Sequence, residues 1–192
     1  MLYCNKSSLI SEEKMLYIHY FDIVVLITTV WLLVRVIQIV KKRRISLKRE
    51  LQLLLVYICL IVVSRFTFFP FSTVNGQIQP LVFDPATAFP FRINCLPFVH
   101  LLDYPNKRDI LLNVIGNTAM FLPLGIVWPI VFKELNTPKK AIAAGIGVSL
   151  CIEILQLPFY DRVTDIDDLI LNTAGFLIGY LIFFVIHHVR RK

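Results

Sequence analysis

Three stretches of otherwise apolar sequence carry carboxylates and carboxamides at helical spacing: Asn113 with Asn117, Glu153 with Gln156, and Asp165 with Asp168 and Asn172. Residues three or four apart share a helix face, so each set forms a polar stripe. Such groups can hold a polar ligand by several hydrogen bonds at once. Glu153, Asp165 and Asp168 are also the candidate catalytic residues, as an acid/base pair or as hard-oxygen ligands for magnesium or calcium. Arg162, just ahead of the aspartates, is able to hold a phosphate. The candidate ligand-binding set is therefore Asn113, Asn117, Glu153, Gln156, Arg162, Asp165, Asp168 and Asn172.

The elements that must position these groups follow from composition. The chain has 192 residues, 57% of them hydrophobic, with a mean hydropathy of +0.70. That is too apolar for an ordinary soluble domain of this size. Crossing a bilayer takes about 20 mostly apolar residues. Stretches near 17–40, 51–71, 110–132, 141–158 and 168–188 meet that requirement, the fourth being short and ending at Pro158. The expected fold is an all-α integral membrane protein, a single membrane domain over 1–192 built as a bundle of about five transmembrane helices.

The net charge of +7 does not point to nucleic acid, because the basic residues sit in short connections. Lys41, Lys42, Arg43, Arg44, Lys48 and Arg49 fill the first, Lys133, Lys139 and Lys140 the third, and Arg190, Arg191 and Lys192 the tail. With five spans all three fall on one side, and the positive-inside rule then places the N-terminus out and the C-terminus in. Asp84, Asp103, Asp109, Asp161, Asp165, Asp167 and Asp168 lie opposite. Met1–Lys14 lacks a basic n-region and a small-residue cleavage site, so the first span is expected to serve as the insertion signal. Cys59 and Cys151 fall in spans and suit packing; a bridge between Cys4 and Cys95 is compatible with the outer side.

The connection over residues 72–109 is extracytoplasmic in this topology, and long for a structureless loop. It mixes Pro80, Pro85, Pro90, Pro97 and Pro105 with Phe83, Phe89, Phe91 and Phe98. Proline prevents a continuous helix and the aromatics suit the headgroup region, which predicts broken structure lying along the membrane.

All three stripes fall in the outer parts of their spans, so they can meet near the extracytoplasmic surface. Arg65, Asp22 and His19 belong at the same depth, with Arg65 available to offset negative charge. An ionised group at the bilayer centre costs roughly 2.5–3.5 kcal/mol, so Glu153 should face protein or water. Each element also has a plain structural reading. Asp165 can N-cap the fifth helix, with Asp167 and Asp168 favoured by its dipole. Asn113, Asn117 and Gln156 can be interhelical hydrogen-bond glue, and Gly175 with Gly179 a close-packing pair. His100 has no second ligand at metal-site spacing, so neither a metal nor a cofactor is expected.

The run Asn113-Val114-Ile115-Gly116-Asn117-Thr118-Ala119-Met120-Phe121-Leu122-Pro123-Leu124-Gly125 resembles the central motif of the VanZ-like family. Glu153-Ile154-Leu155-Gln156 resembles its ExxQ element, and Arg162 through Gly175, followed by Gly179, its RxxDxxDxxxNxxG element. Asn94-Cys95-Leu96-Pro97-Phe98 is similar to its NLIPF-like segment, with cysteine in place of an aliphatic residue. The order is kept over roughly residues 60–183. In this pattern Gly116, Pro123, Gly125, Gly175 and Gly179 are expected to be structural.

The resemblance implies a multi-pass protein of the bacterial cytoplasmic membrane, from a family whose namesake is associated with low-level resistance to the glycopeptide teicoplanin. Fold alone does not assign function; the chemistry of the site must. The leading expectation is non-enzymatic: an outward-facing polar pocket contributing to glycopeptide resistance or cell-envelope homeostasis. Its partners would be the lipid bilayer and a glycopeptide, a lipid-linked envelope precursor or an envelope protein. The rival is a membrane enzyme acting on a lipid headgroup or envelope precursor, although the chain shows no recognisable nucleophile motif. A transporter fits less well, because the polar groups gather toward one side and no inverted repeat is visible.

Overall fold

Each of the five apolar runs folds as one helix. The computed structural model describes residues 15–42, 46–70, 73–85, 89–99, 106–135, 137–159 and 162–189. Within them lie α1 (Tyr20–Lys42), α2 (Leu47–Phe68), α3 (Lys107–Val131), α4 (Pro138–Gln156) and α5 (Ile166–Val189). α2 begins earlier than hydropathy suggests because its first turn carries Lys48, Arg49 and Glu50, charged residues that a helix accepts at the membrane interface. It stops at Phe68, ahead of Pro70, since proline disfavours helix in the residue before it. α4 likewise ends at Gln156, before Pro158.

Helices α1, α2, α3 and α5 are long and apolar enough to cross a membrane. α4 is not among them: it has 19 residues and carries Lys139, Lys140 and Glu153. Its packing nevertheless runs it back along α5. Gly145 lies against the Phe176 ring, Ser149 against Asn172, and Glu153 against Asp165. Rising numbers on α4 meet falling numbers on α5, so the two are antiparallel. α1 and α2 are antiparallel by the same reasoning, with Tyr20 at Ile61, Thr28 at Tyr57 and Arg35 at Glu50. α3 and α5 are parallel, Thr118 facing Gly175 and Leu122 facing Gly179. Neighbours in sequence thus alternate in direction along the bundle.

The parallel α3–α5 pair is the most extensive contact in the fold. A Cβ on Gly175 would overlap the Thr118 carbonyl, one on Gly125 the Phe176 carbonyl, and one on Gly179 the Leu122 carbonyl. The helices therefore touch backbone to backbone, which only glycine allows. Around that seam Cys59, Val63, Met120, Phe121, Leu124, Ala141, Ile152, Phe176 and Tyr180 form the core. The outward faces carry Phe21, Leu33, Val40, Leu55, Ile115 and Leu181, an apolar coat suited to lipid.

The long connection is partly ordered. β1 (Leu16–Ile18), just before α1, pairs antiparallel with β2 (Leu81–Phe83), Tyr17 opposite Val82. A tight turn joins Val74 to Gln77 through Asn75 and Gly76, both at positive φ (52° and 74°) as a type I′ turn requires. β3 (Ile93–Asn94) pairs in parallel with β4 (Thr164–Asp165), fastening the connection to the start of α5. Cys95 is an exposed free thiol. Cys4, Arg43, Arg44, His100, Asp103, Pro105, Asp161 and the basic tail lie outside the described residues.

Candidate functional site

The alternation of the bundle brings the C-terminal ends of α2 and α4 and the N-terminal ends of α3 and α5 to one level. A cavity of about 230 Å³ opens among them. Asn113 and Asn117 line it from α3, Glu153 and Gln156 from α4, and Asp168 and Asn172 from α5. Arg162 adds a guanidinium from the turn before β4, and Thr67 and Phe69 come from the end of α2. The stripes on three helices thus face one space.

Each wall is held by a specific bond. Asn117 Nδ2 donates to Asp168 Oδ1 at 2.6 Å and to Asn113 Oδ1 at 3.3 Å, tying α3 to α5. Asn172 Nδ2 donates to Ser149 Oγ at 3.1 Å, tying α5 to α4. Glu153 Oε2 accepts the Asp165 N–H at 3.0 Å, and the Glu153 carbonyl accepts Thr164 Oγ1 at 3.0 Å. The carboxylate of Glu153 is 2% exposed as part of its residue, so it meets protein rather than lipid.

The end of α2 explains two of the cationic and amide groups. A helix leaves its last four carbonyls without internal partners. Gln156 Nε2 donates to the Thr67 carbonyl at 2.5 Å and Arg162 Nη2 to that of Phe68 at 2.6 Å. Arg65 Nη1 donates to Phe69 and Pro70 carbonyls at 3.4 and 2.9 Å. Arg65 is thus directed at its own helix end and does not line the cavity.

Asp165 is placed differently from the other candidates. Its Oδ1 accepts the N–H of Asp167 at 2.9 Å, the side chain to N2 bond of an N-cap, and also Asn94 Nδ2 at 3.0 Å. Asp167 Oδ1 accepts the N–H of Phe98 at 2.7 Å. Phe98 has φ 66°, the left-handed region a bulky residue rarely takes. Asp165 and Asp167 therefore hold the 94–98 segment against α5, while Asp168 turns to the cavity.

Sequence reasoning passed over Thr67. With Ser64 it forms a buried polar pair three residues apart at the end of a span, which is the same signal that singles out the other stripes. Ser149 is fully buried and supports Asn172 from α4. Among the described residues no three of His, Cys, Asp or Glu gather closely enough to form a metal cage. Among the described residues three buried carbonyl or carboxylate oxygens, Gln156 Oε1, Asn172 Oδ1 and Asp167 Oδ2, have no hydrogen-bond partner, and the first two belong to residues that line the cavity.

The VanZ/LLP1 family model matches residues 54–187. Protein VanZ of Enterococcus faecium is 38% identical over 68 residues, which is 35% of this chain and 41% of that protein. The aligned segment thus spans less than half of that relative. No solved structure matches the chain. With four long apolar helices and a fifth packed among them, the molecule is a multi-pass bacterial membrane protein. The family match runs from within α2 nearly to the end of α5 and takes in every helix that walls the cavity: the chain belongs to the VanZ/LLP1 family.

Proposed function

We propose that this protein contributes to low-level glycopeptide resistance, of the teicoplanin type, or to cell-envelope homeostasis, by binding an envelope ligand or partner in the cavity at the outer ends of α2–α5. The observation that carries the reading is the gathering of amide, carboxylate and guanidinium groups from separate helices around one space of about 230 Å³. Buried polar groups of this kind within a membrane bundle mark functional sites more often than not. The basic residues Lys41, Lys48, Arg49, Lys133, Lys139 and Lys140 lie at the opposite end of the bundle, which supports an outward-facing mouth. Occupying a precursor or headgroup there would reduce access of a lipid-anchored glycopeptide to its target. The enzymatic alternative is less well supported, since Asp165 is engaged as a helix cap and the acids among the described residues do not form a metal cage.

The test is teicoplanin susceptibility, with vancomycin as comparator, in a sensitive Gram-positive host carrying wild type, Glu153→Gln or Asp168→Asn at matched membrane levels. Protection by wild type that both variants lose is the expected result. Protection unchanged in the variants would remove these carboxylates from the function, and none from abundant wild type would detach the chain from resistance. Sidedness is checked at Cys95, the exposed thiol of the long connection: a membrane-impermeant maleimide should label it in intact protoplasts carrying a Cys4→Ser background.

A further inference from the structure

Among the groups that line the cavity, beside the guanidinium of Arg162, are acceptor oxygens that no donor meets. Gln156 is the clearest case. Its amide nitrogen faces the Thr67 carbonyl at 2.5 Å, and a backbone carbonyl can only accept, so the orientation of the amide is set by chemistry. Oε1 is then turned away from that bond, on a residue 5% exposed, with no partner. Asn172, 1% exposed, has Nδ2 on the Ser149 hydroxyl, which can donate or accept, and Oδ1 unmatched. Beside them Asp168 receives the Asn117 amide on Oδ1 and Glu153 the Asp165 N–H on Oε2. Each of these carboxyl groups has a second oxygen with lone pairs to offer. Leaving a buried acceptor unmet is costly, and such groups call for an occupant that supplies donors.

Three kinds of occupant can be weighed against this wall. A bare metal ion would want a tighter cluster of acidic or histidine ligands than the described residues provide. A polyol would satisfy the oxygens but bring no charge, leaving Arg162 as the one cationic side chain among the described residues that line the wall with Glu153 and Asp168. A primary ammonium brings three N–H donors and a positive charge in one compact group. A space of about 230 Å³ takes an aminoethyl or aminoacyl end, and is below the roughly 300–1,000 Å³ of pockets that enclose a drug-sized ligand. The rest of the molecule must therefore remain outside. The cavity lies among the C-terminal ends of α2 and α4 and the N-terminal ends of α3 and α5, and the ends of membrane-spanning helices meet the headgroup region.

We propose that the cavity binds the primary ammonium end of an amine-bearing membrane lipid, the acceptor atoms of Gln156, Asn172, Glu153 and Asp168 receiving its N–H groups. This rests on the proposed function's choice of site, and it names the chemistry of the ligand. A quaternary ammonium separates the two contributions, because it carries the same charge and has no N–H to donate.

The purified full chain in detergent is titrated with short-chain phosphatidylethanolamine, phosphatidylcholine and phosphatidylglycerol, and with free ethanolamine, reading thermal unfolding and lipid retention. Phosphatidylethanolamine should bind at least about tenfold more tightly than phosphatidylcholine, the discrimination that one charge-assisted hydrogen bond commands. Phosphatidylglycerol should bind no better than phosphatidylcholine, and Glu153→Gln and Asp168→Asn should each narrow the preference. Equal binding of the ethanolamine and choline lipids overturns the proposal, as does equal binding of phosphatidylglycerol. Binding of ethanolamine without its lipid overturns the lipid assignment. No selectivity by any probe leaves a water-filled cavity and also overturns it. These results depend on the wild type alone, so a variant that fails to fold does not blunt the test. Teicoplanin susceptibility is scored separately: protection lost in both variants without amine selectivity discards the ligand and keeps the resistance reading, and selectivity without protection does the reverse.

Discussion

The α3–α5 pair and the α1–α2 pair are built on opposite terms. α3 and α5 meet through Gly125, Gly175 and Gly179, with carbonyls of one helix where the other would carry Cβ atoms. α1 and α2 meet through side-chain tips: a hydrogen bond between Thr28 and Tyr57 at 2.7 Å, Trp31 against the Tyr57 ring at 5.1 Å, and the Arg35–Glu50 ion pair with Gln38 on the same guanidinium. α1 is otherwise bare to lipid, and the family match begins at residue 54, beyond it. The contrast teaches where the molecule tolerates change. The pair that positions the polar wall admits no extra atom, whereas the peripheral pair has several replaceable contacts.

The largest effect is expected at the seam. Gly175→Ala sets a methyl group against the Thr118 backbone carbonyl, which cannot swing aside as a side chain can. The cost should exceed the about 1–3 kcal/mol of ordinary overpacking, and membrane abundance and monodispersity of the purified protein should both collapse. Glu153→Gln and Asp168→Asn come next: isosteric, abundant, and reduced to the susceptibility of the empty host. Arg35→Met should then sharpen the comparison from the other side. Removing one partner of an enclosed pair costs about 3–5 kcal/mol, and with Glu50 still 26% exposed a loss of about 1–2 kcal/mol in thermal unfolding is expected, with teicoplanin protection retained. The smallest change is Thr28→Val, which deletes one interhelical hydrogen bond and should lower stability by about 0.6 kcal/mol. Protection lost with Arg35→Met, or a well-folded Gly175→Ala, would break the distinction between the two pairs.

Much of the fold is legible in the apolar runs, because a bilayer demands helices of a given length wherever such runs occur. The stripes Asn113/Asn117, Glu153/Gln156 and Asp168/Asn172 also place their side chains on one cavity, since helical periodicity alone decides a face. What periodicity does not reach is the use of a group once it arrives. Asp165 and Asp168 are three residues apart and chemically identical, yet one caps α5 and the other faces the cavity. Arg65 has the charge to offset the acids, but the Phe69 and Pro70 carbonyls just past the end of α2 take it. The α2 boundary shifts for a related reason: hydropathy discounts Lys48, Arg49 and Glu50, while a helix at the interface accommodates them. The clasp of Asn94 and the Phe98 N–H on α5 joins residues some seventy positions apart, a separation over which no local pattern speaks.

The parallel glycine seam also dictates a schedule. α3 and α5 are separated along the chain by α4, and a ribosome delivers them in that order. Until α5 enters the bilayer, Gly125 has no partner backbone and Asn117 no Asp168 to bond. A nascent chain halted after α4 holds Glu153 without the Asp165 N–H and Ser149 without Asn172, while Gln156 can already reach the Thr67 carbonyl. Completion of α5 closes the seam and supplies the last wall of the cavity, Asp168 and Asn172.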